Sequence, residues 1–192
     1  MRKLTHDEIS ANRSTLEKIH TVTKLPVTVL LNSIRSSYNV GSIFRTSDGA
    51  MIEKLILCGY TPHPPIDEEN KGNKDVLKTA LGSTQSVKWE YTKSAIEAIK
   101  NLKAKGIKIC ALELTENSKS YYDISTNDFP ICLVVGNEIT GVSQEVLDLC
   151  DCSIEIPQYG IKQSLNVAVA YGIAIFELRK IFDLNIKSTS QQ

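Results

Sequence analysis

Residues 154–178 read IEIPQYGIKQSLNVAVAYGIAIFEL. A short strand-like run meets Pro157, Tyr159 and Gly160, and Ser164-Leu165-Asn166 then precede a long apolar stretch. Proline and glycine punctuate the strand's end. A serine or asparagine just before an apolar-periodic run is a helix N-cap signal. The stretch therefore reads as strand, loop and buried helix, the unit from which α/β domains are built. Two roles stay open for Ser164 and Asn166: capping the helix, or lining a binding site built around that cap.

Working outward, the same rhythm recurs. Strands are expected at 27–31, 54–60, 87–91, 107–114, 131–135 and 153–156, the first of them the almost wholly apolar VTVLL. Such continuous apolar runs suit strands covered on both faces. Helices are expected over 5–21, opened by Thr5 or Asp7 and closed by Leu25-Pro26, and from a turn at 37–41 through about Ala50. Further helices are expected at 76–81, 93–105, 143–150 and 164–181. TPHPPIDEENKGNKD, residues 61–75, reads as a long loop, a length usually given to function. ISTND at 124–128 reads as a linker within the domain. The expected fold is α/β, a mainly parallel sheet with helices on both faces, in one domain over 1–192 with residues 1–25 as a helical extension.

Composition narrows the function. A chain of 192 residues with 42% hydrophobic content suits one domain with a substantial core. It has no 18-residue apolar run, so no membrane partner is expected. MRKLTHDEISANRSTLEKI lacks the apolar core of a signal peptide, which points to the cytoplasm. Cys58, Cys110 and Cys132 lie in apolar strand-like runs, where cysteine behaves as a small hydrophobe. Cys150 and Cys152 are one residue apart, not the two of a common redox or zinc pair. His6, His20 and His63 show no metal-ligand spacing, so no metal is expected.

Lysine plus arginine equals aspartate plus glutamate at 22 each, but the distribution is uneven. Asp128 to Glu155 holds six acidic residues and no basic one. Arg2, Lys3, Arg13, Lys18, Lys24, Arg35 and Arg45 cluster toward one end, and Lys162, Arg179, Lys180 and Lys187 toward the other. A polyanion is expected to meet the two ends, brought together by folding.

Ligands of an open parallel sheet bind beyond the strands' carboxyl ends. Three polar clusters fall there: 32–45 (NSIRSSYNVGSIFR), 136–141 (GNEITG) and 156–166 (IPQYGIKQSLN). No glycine-rich dinucleotide or phosphate loop is present, and Ser164 has no G-x-S-x-G elbow. Gly136 and Gly141 read as tight turns or points of close ligand approach. Arg45 is either a snorkelling side chain at a helix edge or a bidentate phosphate clamp. Asn39 either caps its helix or enters a site.

Together the clusters resemble the three signature motifs of the SpoU/TrmH family of RNA ribose 2'-O-methyltransferases, within the SPOUT superfamily. Asn32, Arg35, Asn39, Val40, Gly41 and Arg45 match the first motif. Gly136-Asn137-Glu138 and Gly141 match the second; Ile156-Pro157, Gly160 and Ser164-Leu165-Asn166-Val167 match the third. The resemblance spans about 26–180. Ile139-Thr140 and Ala168 stand where relatives often carry small polar residues.

The resemblance implies a deep C-terminal trefoil knot, which physics alone would not offer because true knots are rare. It implies S-adenosylmethionine held largely by main-chain groups at Leu112, Glu113, Gly136, Asn137, Ile156, Gln158 and Leu165. It implies a homodimer whose active site borrows residues from the partner. Arg45 would be the central catalytic residue, with Asn39, Glu138, Ser164 and Asn166 supporting it. The expected substrate is tRNA, with a D-loop guanosine as the target. Ribosomal RNA is the alternative substrate, a base-nitrogen methyltransferase an alternative reaction, and a non-catalytic RNA-binding or assembly protein an alternative class.

Overall fold

The computed structural model describes residues 1–67 and 72–189. Residues 68–71 of the expected 61–75 loop, and the side chains of His20 and Lys187, lie outside the described residues.

Seven strands form one sheet in the order β3-β2-β1-β6-β4-β7-β5, and every neighbouring pair is parallel. They are β1 (Leu25–Asn32), β2 (Ile52–Cys58), β3 (Trp89–Thr92), β4 (Lys108–Leu112), β5 (Lys119–Ser120), β6 (Ile131–Val135) and β7 (Cys152–Glu155). The helices are α1 (His6–Ala11), α2 (Ser37–Ala50), α3 (Lys74–Ala80), α4 (Ser83–Ser86), α5 (Ala95–Lys103), α6 (Gln144–Leu147) and α7 (Val167–Thr189). No helix among the described residues is long and apolar enough to cross a membrane.

Burial on both faces accounts for the apolar strands. Val27, Val29 and Leu31 of β1 join the core under α2, α3 and α7, with Phe44, Val76 and Tyr171. Leu30, between them, joins the opposite core with Ile99 of α5 and Val146 of α6. The expectation of a mainly parallel sheet with a helical layer on each face is met. All five cysteines are free thiols, and Cys58, Cys110 and Cys132 are buried as small hydrophobes.

Several boundaries differ from the sequence reading. The helix expected over 5–21 is a six-residue α1, capped by a reciprocal Thr5–Glu8 box, plus a 3-10 turn at Ile19–Thr21. No residue of α1 is buried, so packing adds nothing to extend so short a helix. Leu25 and Pro26, expected to close that helix, instead open β1. The turn expected at 37–41 is already helix, because Ser36 caps α2 by accepting the Asn39 amide at 3.3 Å. The last helix begins at Val167 rather than 164 and runs on to Thr189. The two-residue β5 was not anticipated from the sequence.

The topology sets the place for a site. From β1 the chain goes one way to β2 and β3, then crosses to β4 and β6 on the other side. Parallel sheets open a crevice at such a switch point, beyond the carboxyl ends of the strands.

Candidate functional site

A cavity of about 550 Å³ lies to one side of that switch point, beyond the ends of β4, β6 and β7. Its walls include Leu112, Glu113, Gly136, Asn137, Ile156, Gln158 and Leu165, all seven residues expected at a cofactor. Glu138 and Ser164, two of the five expected catalytic residues, also line it. Three chain segments that are remote in sequence thus share one wall. Its size falls within the range of small-molecule sites, roughly 300–1,000 Å³.

The turn after β6 is built tightly. Asn137 and Gly141 exchange backbone hydrogen bonds at 2.9 and 3.0 Å. Gly141 has φ +67°, a left-handed conformation that glycine adopts without steric cost. A Cβ on Gly136 would stand 2.3 Å from the Gly141 and Val142 backbone. The Asn137 Oδ1 accepts the Ile139 and Thr140 amides at 2.9 and 3.0 Å. Its Nδ2 donates to the Ser33 carbonyl at 2.9 Å and the Tyr60 hydroxyl at 2.8 Å. The Asn137 side chain is therefore occupied in holding the turn.

Glu138 joins this turn to α2. Its carboxylate accepts the Arg35 amide at 2.8 Å, the Ser36 amide at 3.0 Å and the Asn39 Nδ2 at 2.8 Å. A carboxylate at a helix N-terminus also meets the positive end of the helix dipole. Partial burial works against the Glu138 charge, but the Arg35 amide, Asn39 side chain and Ser36 amide outweigh it, leaving the carboxyl below its ordinary value. Asn39 continues the chain: its Oδ1 accepts the Asn166 Nδ2 at 3.1 Å. Asn166 in turn accepts the Ala168 and Val169 amides at 2.9 and 3.3 Å. The cap of α7 is thus Asn166, and capping, one of the two roles open to Ser164, does not fall to it. Asn166 already satisfies the first free amides of α7, so Ser164 remains in the cavity wall.

Arg45 stands apart. It lies on the exposed side of α2, outside the cavity wall. It makes no hydrogen bond or ion pair with the described residues of its own chain. A single chain therefore unites Asn39, Glu138, Ser164 and Asn166 but not Arg45.

The two flanks touch at Arg179, whose guanidinium donates to the Thr23 carbonyl at 3.3 Å. Part of the basic flank is neutralised locally, by Arg2–Glu8, Lys24–Glu53, Arg179–Asp183 and Lys180–Glu177 pairs. Among the described residues, no group of three or more His, Cys, Asp or Glu side chains is placed to hold a metal ion.

Two structural residues escaped the sequence reading. The Thr61 hydroxyl lies 3.1 and 2.7 Å from the Leu31 and Cys58 carbonyls and accepts the Ile34 amide at 3.1 Å, pinning the end of β2 to the end of β1. Tyr60 supports Asn137 from the same segment. Their position just past a strand's carboxyl end was the available signal.

The family profile of the SpoU rRNA Methylase family matches residues 26–176. The tRNA (guanosine(18)-2'-O)-methyltransferase of Escherichia coli (strain K12) is 29% identical over 154 residues, covering 80% of this chain and 63% of the relative. This chain thus spans under two-thirds of that protein's length. The A. aeolicus TrmH/SpoU tRNA modifying enzyme superposes with a TM-score of 0.73 at 28% identity, over 88% of this chain and 83% of that one. An AdoMet-bound rRNA methyltransferase from Sinorhizobium meliloti gives 0.73 at 28% identity, over 84% and 59%.

Proposed function

The chain belongs to the SpoU rRNA methylase family, and from that premise we propose that it is an S-adenosylmethionine-dependent RNA ribose 2'-O-methyltransferase acting on tRNA. The observation that carries the proposal is the Glu138–Asn39–Asn166 hydrogen-bond chain, which ties the three motif segments together at the rim of one cavity. A D-loop guanosine is the target that the E. coli relative's name favours.

The cavity fits the cofactor by shape and charge. Leu112, Val135, Ile156, Leu165 and Val167 give it apolar walls, and Glu113, Glu138 and Glu155 outnumber Lys162 among its charged residues. A net-negative lining suits a cofactor whose sulfonium and ammonium outweigh its single carboxylate. When bound, S-adenosylmethionine supplies an electrophilic methyl group. The residues' task is to hold a ribose hydroxyl in line with it, and orientation alone accounts for much of such a rate. Glu138 fixes Asn39, and Asn39 with Asn166 presents amide groups to the ribose from the rim. Ser164 shapes the wall beside them.

Arg45 clamps an RNA phosphate through its guanidinium fork and helps activate the hydroxyl. Because it lies outside its own cavity, it acts in the site of a second subunit within a homodimer. The exposed apolar side of α7 supports such a seam: Val169 is 51% and Phe176 50% exposed. The family's trefoil knot, formed around the loops after β4, β6 and β7, and a cytoplasmic location complete the reading. Five free thiols accord with that location.

The test offers labelled S-adenosylmethionine with tRNA and, separately, rRNA, followed by nucleoside mass analysis. A 2'-O-methyl nucleoside in tRNA is expected. Product in rRNA alone reassigns the substrate, and a methylated base overturns the reaction. RNA binding without product favours a non-catalytic protein.

A further inference from the structure

A second hollow, of about 390 Å³, lies beyond the ends of β2 and β3, with β1 between it and the strands that carry the first cavity. Its lining includes Tyr60, His63, Asn73 and Tyr91. Two of the chain's seven tyrosines and one of its three histidines therefore surround one small space. The His63 and Tyr91 rings lie 4.6 Å apart at 43°. Tyr60 is 63% exposed, and its hydroxyl is anchored on Asn137.

The hollow is held in shape by its own bonds. The Tyr91 hydroxyl donates to the Gly59 carbonyl at 2.8 Å, and the Asn73 amide donates to the His63 carbonyl at 2.8 Å. Gly72, at φ +53°, lets the chain pass where a Cβ would stand 2.5 Å from the Pro64 backbone.

His63 has a definite chemistry here. Its Nδ1 lies 2.8 Å from the Pro64 carbonyl. A carbonyl only accepts, so Nδ1 carries the proton, and in the neutral ring Nε2 is an acceptor. Arg35, Lys74 and Lys93 stand exposed at the ends of the neighbouring elements, against Asp67 and Asp75 in the segment that lines the hollow. Aromatic rings, one acceptor and flanking cations are what recognises an unpaired nucleotide: a base to stack, an edge to bond and phosphates to attract.

We propose that this hollow is a nucleobase subsite that receives an unpaired base of the RNA next to the nucleotide whose ribose is methylated. The inference rests on the RNA methyltransferase reading above. It adds a recognition site separate from the cofactor cavity, joined to it through the Tyr60–Asn137 bond.

The test uses the full chain with unfractionated tRNA and S-adenosylmethionine. His63→Ala is expected to raise the KM for tRNA about tenfold, the usual order for one lost stacking partner. The KM for S-adenosylmethionine and kcat stay unchanged. His63→Phe, which keeps a ring, recovers most of the loss. A folded His63→Ala protein with the wild-type KM for tRNA overturns the subsite and leaves the methyltransferase reading standing. An equal rise in the KM for both substrates also overturns it, because that marks general distortion. Should the alanine variant not fold, ultraviolet crosslinking of the wild-type protein to tRNA decides: crosslinks at Tyr60, His63 or Tyr91 are expected, and crosslinks only elsewhere overturn the proposal. A wild-type chain that neither binds nor methylates RNA overturns the functional reading, and the subsite with it.

Discussion

Glu138 receives two backbone amides and one side-chain amide. Glu138→Gln turns one accepting oxygen into an NH2 group facing N–H donors. The expected cost is about 1–3 kcal/mol, that of a donor left without a partner, read by thermal or urea unfolding, together with a fall in turnover as Asn39 loses its anchor. The pH dependence has a defined sign. The folded-state carboxyl lies below its ordinary 4.5, so its stabilisation is complete above that value and is lost as pH falls through the folded value. The stability gap between wild type and Glu138→Gln should therefore be flat from about pH 5 to 8 and close in stronger acid; a gap that opens as pH falls contradicts this role. Arg45→Ala, at an exposed position, should change stability by about 0.5 kcal/mol or less and leave cofactor binding intact while abolishing methylation. Near-normal turnover in that variant removes Arg45 from the chemistry.

At the scale of elements, α7 owes its start to Asn166, which has two separable jobs. Its Oδ1 caps the helix and its Nδ2 donates to Asn39. Asn166→Ala should lose about 1 kcal/mol of stability as well as turnover. Asn166→Asp keeps the cap but sets an oxygen against the Asn39 Oδ1, so the melting temperature should hold while kcat falls. Equal losses of stability in both variants would mean that the cap and the relay are one function. The same helix shows what the sequence made legible. The existence and type of the strands and long helices followed from apolar runs and periodicity. Caps were harder: Ser164 and Asn166 are both good capping residues, and only the register of the backbone decides between them. The 5–21 segment failed for a related reason, since local propensity without a buried face does not sustain a helix. The Glu138–Asn39–Asn166 chain was legible only as co-occurring motif residues, because its contacts span 99 and 127 positions of sequence.

For the whole molecule, the proposed role of Arg45 has to be squared with its place outside the cavity of its own chain. Periodicity places Arg45 on α2 but does not say whose cavity it serves, because a single chain's sequence carries no symmetry operator. The apolar face carrying Val169 and Phe176 lies beside α2, where the Phe176 ring packs 3.6 Å from the position of a Gly49 Cβ. An isologous pairing through that face would bring each α2 to the other subunit. Phe176→Glu should then give monomers by sedimentation, with methylation lost although S-adenosylmethionine still binds. Mixing gives a sharper test. Arg45→Ala subunits keep an intact cavity, and Gly136→Val subunits keep Arg45 but lose the tight turn of the cavity wall. Each is expected to be inactive alone. In mixed dimers the cavity of the first subunit meets Arg45 of the second, so one of two sites is whole. Random pairing of equal amounts makes half the dimers mixed, and activity should return to about a quarter of wild type in a two-fold symmetric dimer. If Arg45 served its own chain's cavity, the mixture would stay inactive whatever the degree of exchange, because neither kind of subunit holds both parts.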